Sequence, residues 1–156
     1  KTGDIAGVTR DVRWIKCADF DLLDTPGTMP PSCKTQYLAR HLAYIGSLND
    51  DILDIADVAL ELLKELKANY PAALQERYGI DCGGNNAETD KTADEEERTR
   101  EAVEMLETAC RRRGFILRGG EFDYERGARA VIDDFRKGRL GKICLENPSD
   151  FADVKF

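Results

Sequence analysis

Asp24-Thr25-Pro26-Gly27 follows the apolar pair Leu22-Leu23, and Thr9, within Gly7-Val8-Thr9-Arg10, stands fifteen residues before Asp24. These residue types in this order suit the sensing of a nucleotide's terminal phosphate. A carboxylate at the end of a buried strand helps hold Mg²⁺, and a hydroxyl ahead of it can reach the same metal. A glycine just beyond brings its N–H against a phosphate oxygen because no Cβ intervenes. On this reading Asp24 and Gly27 occupy one switch segment and Thr9 another, so that Thr9, Asp24 and Gly27 form the candidate nucleotide site and Thr9 and Asp24 its metal ligands. The four residues are also ordinary turn formers, and the motif alone does not separate a switch from a β-turn closing a strand.

The surroundings favour the switch. Val12 to Cys17 and Phe20 to Leu23 read as two short strands, the second ending at Asp24. The phosphate-cradling pattern G-x-x-x-x-G-K-[ST] does not occur: the one Gly-Lys pair, Gly141-Lys142, is followed by Ile143. An Asn-Lys-x-Asp guanine-reading motif is also absent after Gly27. The expectation is a truncated or permuted nucleotide-binding domain, unable to bind nucleotide well by itself.

Four stretches in fixed order carry a resemblance to a known family. They are Gly7-Val8-Thr9-Arg10 with Trp14-Ile15-Lys16; Leu22-Leu23-Asp24-Thr25-Pro26-Gly27; Asp50-Asp51-Ile52-Leu53 through Asp57-Val58-Ala59; and Arg112-Arg113-Gly114 with Leu117-Arg118-Gly119-Gly120. The last continues into Asp123-Tyr124 and Gly138-Arg139-Leu140-Gly141-Lys142. Together they resemble the C-terminal portion of the ribosome biogenesis GTPase A family, the circularly permuted GTPases of large-subunit maturation. The resemblance implies that guanine recognition and the P-loop precede Lys1. It further implies that GTP and Mg²⁺ are cofactors of the full-length protein, with none bound by this fragment, and that the helical domain contacts rRNA of the large ribosomal subunit. Thr28-Met29-Pro30-Pro31 depart from the family, which usually carries a Trp-Pro there. No catalytic residue is assigned, and the isolated chain is expected not to hydrolyse GTP.

Composition bounds the remaining possibilities. The chain has 156 residues, 42% hydrophobic and 34% charged, as in an ordinary globular protein. No apolar run approaches the roughly 18 residues of a membrane span, and the first residues form no signal-peptide core. A cytoplasmic location is the default, an organellar one being compatible. Cys17, Cys33, Cys82, Cys110 and Cys144 are scattered singly, so reduced thiols are expected. Cys110 reads as a core residue, and His41, the single histidine, as a helix residue without metal or triad partners.

Beyond Pro30-Pro31 helical periodicity takes over. A helix is expected over residues 35 to 46, with Leu38, Leu42 and Ile45 on one face. Asp54 caps the next, whose stripe is Ile55, Val58, Ala59, Leu62, Leu63 and Leu66. Pro71 opens a short helix that turns Leu74 and Tyr78 inward and stops at Gly79. Residues 82 to 97 read as a loop running into an acidic helix start. From Glu96 to Gly114 Ala102, Val103, Leu106, Ala109 and Cys110 face the core. Asp123 caps a last helix with Tyr124, Ala128, Val131, Ile132 and Phe135 buried. The fold class is mainly α: an all-helical domain of about five helices preceded by a two-strand fragment of an α/β P-loop GTPase domain. The resemblance implies that residues 1–47 form the GTPase fragment and residues 48–156 the helical RNA-binding domain.

Charge is segregated along the chain. Residues 88 to 107 hold nine acids and three bases, a net of −6, whereas residues 111 to 142 hold ten bases and five acids, a net of +5. Arginine pairs with phosphate bidentately and stacks on exposed bases. Arg111, Arg112, Arg113, Arg118, Arg129, Arg136, Lys137 and Arg139 are therefore the candidate RNA-binding residues, with no DNA partner expected. Composition by itself favours a solvated helix face with dipole-matched ends, and it is the resemblance that turns the reading toward RNA. A second function, a helical protein-interaction module with no nucleotide role, stays open. A stand-alone enzyme has little support, since no carboxylate pair or Cys-His arrangement stands out.

Overall fold

A computed structural model of the chain describes residues 12–25, 36–82 and 94–146. Thr9, Gly27 and Cys33 lie outside the described residues. The described part contains a two-stranded antiparallel sheet and five α-helices, and it falls into two compact units dividing between Ile52 and Leu53.

The first unit begins with a hairpin. Strand β1 (Arg13–Lys16) pairs with β2 (Asp21–Asp24), in the register Arg13 opposite Asp24 and Ile15 opposite Leu22. The turn is closed by the Cys17 N–H donating to the Phe20 carbonyl at 2.9 Å. Helix α1 (Gln36–Tyr44) follows, then a single 3₁₀ turn at Asp50–Ile52. The buried residues of α1 are His41, Ala43 and Tyr44, and Ile45 is 55% exposed. The expected face of Leu38, Leu42 and Ile45 is thus displaced. His41 sets the displacement, its ring lying 4.1 Å from that of Tyr37 and 5.7 Å from that of Tyr44.

The second unit is built on α2 (Ile55–Asn69), α4 (Glu95–Arg113) and α5 (Tyr124–Arg136), which pack on one another, with α3 (Pro71–Tyr78) against α2 and α4. Its centre is Leu62, Leu63, Leu66, Leu74, Leu106, Val131 and Ile132. Each start has a sequence cause. Asp54 accepts from the N–H groups of Ala56 and Asp57, Asp94 from that of Glu95, and Asp123 from that of Arg126. Helices α3 and α4 stop at Gly79 and Gly114, both at φ 68° in the left-handed region that glycine enters without a Cβ penalty.

Part of the acidic run has a structural use. Lys64 of α2 donates to Glu61 at 2.8 Å and across to Glu95 at 2.7 Å, and Lys67 donates to Glu101 at 2.6 Å. Those two cross-helix pairs lace α4 to α2. Where α4 meets α5, Gly127 is buried against Cys110, and a Cβ at residue 127 would overlap the Cys110 sulfur. The four cysteines among the described residues are free thiols. Tyr124, expected inside, is 41% exposed, because its hydroxyl reaches out to Glu107 at 2.6 Å.

Candidate functional site

Two places carry the chemistry anticipated from the sequence. The first is the end of β2. Asp24 sits opposite Arg13, whose Nε donates to Oδ2 at 3.1 Å. The strand ending at Asp24 is not the buried one expected: Leu22 is 48% and Leu23 42% exposed, and Trp14 and Phe20 are open as well. An antiparallel pair commonly packs one face on a core, and among the described residues both faces of this one stay exposed. Asp24 is a hard oxygen donor suited to Mg²⁺, but among the described residues no group of three His, Cys, Asp or Glu side chains could hold a metal ion. Its expected companions, Thr9 and Gly27, fall outside that set.

The second place is the end of the helical unit where α3, α4 and α5 meet. Its centre is Asp134, fully buried near the end of α5. Arg77 of α3 grips the carboxylate with both edges of its fork, Nε to Oδ2 at 2.9 Å and Nη2 to Oδ1 at 3.0 Å. The Tyr78 hydroxyl donates to Oδ2 at 2.9 Å, Arg139 Nη1 to Oδ1 at 3.0 Å, and Arg113 of α4 also donates to Oδ2. One carboxylate thereby ties three helices and the segment after α5 together.

The electrostatics follow from that crowding. Burial by itself would raise the Asp134 pKa, but the hydrogen bonds from Arg77, Arg139, Arg113 and Tyr78 outweigh it and hold the carboxyl well below the usual carboxylate range. Burial, then the neighbouring Asp134 charge, pushes the Tyr78 phenol well above its ordinary value. Asp134 is accordingly a permanent anion at neutral pH, and Tyr78 a permanent donor.

The eight sequence-predicted basic residues divide into groups. Arg113 and Arg139 converge on Asp134, and Arg139 also reaches Asp133 at 3.3 Å. Arg129 pairs with Glu125 and Lys137 with Asp133, each one turn away on the same helix. The Arg111 guanidinium lies over the Phe122 ring, 5.4 Å from its centroid. Arg118 is exposed in the turn after Leu117, which is closed by the Gly120 N–H donating to the Leu117 carbonyl. Arg112 and Arg136 are exposed. Sequence reasoning missed Arg77 and Asp134. A signal for Asp134 existed, because it lies seven residues after Gly127 and three after Val131, on the buried stripe of α5.

The geometry defines a mainly helical protein whose concentrated chemistry is guanidinium chemistry, with a strand hairpin that ends at Asp24. Comparison with known proteins is consistent with that. Ribosome biogenesis GTPase A of Bacillus cereus is 34% identical over 98% of this chain and 47% of its own length. The same-named proteins of Bacillus licheniformis and Priestia megaterium are each 32% identical over 96% of the chain, and over 48% and 47% of their own lengths. No family model matches the sequence. Over nearly its whole length the chain is similar to these ribosome biogenesis GTPase A proteins, and it spans about half the length of the curated relatives it matches.

Proposed function

We propose that this chain is the switch-bearing and helical portion of a GTP-controlled assembly factor of the large ribosomal subunit, acting in the cytoplasm, with GTP and Mg²⁺ bound by the full-length protein. The observation that carries the reading is the family match over nearly the whole chain, which includes both the Asp24 segment and the basic end of the helical unit. Thr9 and Asp24 would serve Mg²⁺, whose charge steadies the nucleotide phosphates, and Gly27 would offer its N–H to the terminal phosphate. Residues 1–47 thus belong with the GTPase domain, and residues 48–156 dock rRNA.

Support for RNA docking comes from residues 111 to 142, whose net charge of +5 contrasts with the chain's −7. Arg111, Arg112, Arg118, Arg129, Arg136, Lys137 and Arg139 are all exposed there. A salt titration of the chain against purified large-subunit rRNA tests the reading. Phosphate contacts predict that log K falls linearly with log salt, by about 0.7 per phosphate neutralised on a single strand. The reading fails if the chain does not bind this rRNA at low salt.

A further inference from the structure

The flank of α3 and the C-terminal ends of α4 and α5 enclose an open cleft of about 600 Å³. Its charged lining is Arg77, Arg112, Arg113 and Arg139, with Glu76 as the one acid. Asp134 anchors three of these arginines, and that accounts for their positions without using up their chemistry. A guanidinium has five N–H donors. Arg77 uses two of them on Asp134 and Arg113 one, while the carboxylate, already accepting five hydrogen bonds, has no further lone pair to offer.

Arg112 is the informative member of the set. It has no hydrogen bond or ion pair among the described residues, and nothing about Asp134 requires it. It extends over the bare Cα of Gly79, where a Cβ would stand 2.6 Å from its Nη1. The glycine that ends α3 therefore also leaves room for this side chain.

Charge decides what the cleft takes. Four arginines against Glu76 and Asp134 leave a net of +2, and Asp133, which also meets Arg139, is balanced by Lys137 at 2.7 Å. The C-terminal ends of α4 and α5 each contribute about half a negative charge, and the balance stays positive. The wall contributed by Gly138, at φ 65°, carries no side chain, and no heavy atom lies within 4 Å of where its Cβ would be. Convergent guanidiniums with spare donors beside an open wall suit a tetrahedral oxyanion.

We infer that this cleft seats a backbone phosphate of the bound RNA, with Arg112 as a direct ligand and Asp134 as the anchor that holds Arg77, Arg113 and Arg139 around it. The inference rests on the proposed rRNA docking and names the point at which it is made. Two of the other basic residues, Arg129 and Lys137, each paired with an acid on α5, lie outside the cleft.

The test is binding of Arg112→Glu, Arg112→Lys and Arg118→Glu chains to large-subunit rRNA, with thermal melting as a control on the fold. Arg112→Glu is expected to melt like the unaltered chain, bind at least tenfold more weakly and lose about one unit of salt slope, while Arg112→Lys keeps most of the affinity. Binding by Arg112→Glu within twofold of the unaltered chain would overturn the cleft assignment and leave rRNA docking standing. No binding by the unaltered chain would remove the docking and the cleft assignment together.

Discussion

Arg77 and Asp134, fifty-seven residues apart in the chain, form a two-pronged ion pair at 2.9 and 3.0 Å whose carboxylate is wholly buried and whose guanidinium is one-third exposed. The asymmetry governs what each partner is worth. Removing the arginine leaves Asp134 with Arg113, Arg139 and Tyr78. Removing the charge of Asp134 leaves three cations facing one another over a neutral group.

Asp134→Asn is therefore expected to destabilise the helical unit by about 3 kcal/mol, the range for breaking a buried pair. Arg77→Met should cost less, about 2 kcal/mol, within the range for losing hydrogen bonds to a charged group that keeps other partners. Urea unfolding of the two variants checks the ranking, and equal losses would contradict it.

The pH dependence has a definite sign on each side. Asp134 titrates lower in the folded than in the unfolded chain, so its stabilisation is complete above the unfolded value of about 4 and is lost as pH falls further. Tyr78 titrates higher when folded, so its contribution is complete below about 10 and is lost as pH rises beyond that. Thermal melts across pH should show a plateau between these limits. In Asp134→Asn the acid limb should be shallower than in the unaltered chain.

Gly127 and Cys110 define the closest approach of α4 and α5. Alanine in a helix interior is favoured over glycine by about 1 kcal/mol, yet Gly127→Ala should destabilise, since overpacking of a filled core costs about 1–3 kcal/mol. Placed on a Cys110→Ala background, the same substitution should be neutral or stabilising. A double-mutant cycle of melting curves reads this coupling, and additive effects would contradict it.

GTP turnover by the 156-residue chain alone is expected to stay at background, because its sequence contains no phosphate-cradling loop. Phosphate release measured with Mg²⁺ and excess GTP checks this. Turnover that rises with chain concentration would contradict the placement of the nucleotide machinery elsewhere.

Local signals made most of the fold legible. Asp54 and Asp123 cap the helices assigned to them, and Gly79 and Gly114 stop theirs, because these residues act through their own backbone neighbours. The buried face of α1 was not legible. Its position is set by ring packing of His41 between Tyr37 and Tyr44, which a count of aliphatic spacings passes over. The arginines of the site were visible as a basic segment, but their convergence was not. It depends on Asp134 meeting Arg77 across the bundle, and charge content says nothing about which acid is buried. Asp24 was legible as a strand end. The exposure of its strand was not, since alternation cannot tell which faces the same chain will cover.

Photocrosslinking of the chain to large-subunit rRNA, followed by mapping of the crosslinked peptides, shows directly which face of the helical unit meets the RNA. Crosslinks are expected to concentrate in residues 111–142 and at Arg77, with the acidic stretch from Glu95 to Glu107 free of them. Crosslinks confined to the hairpin of residues 12–25, or to the acidic start of α4, would contradict this expectation.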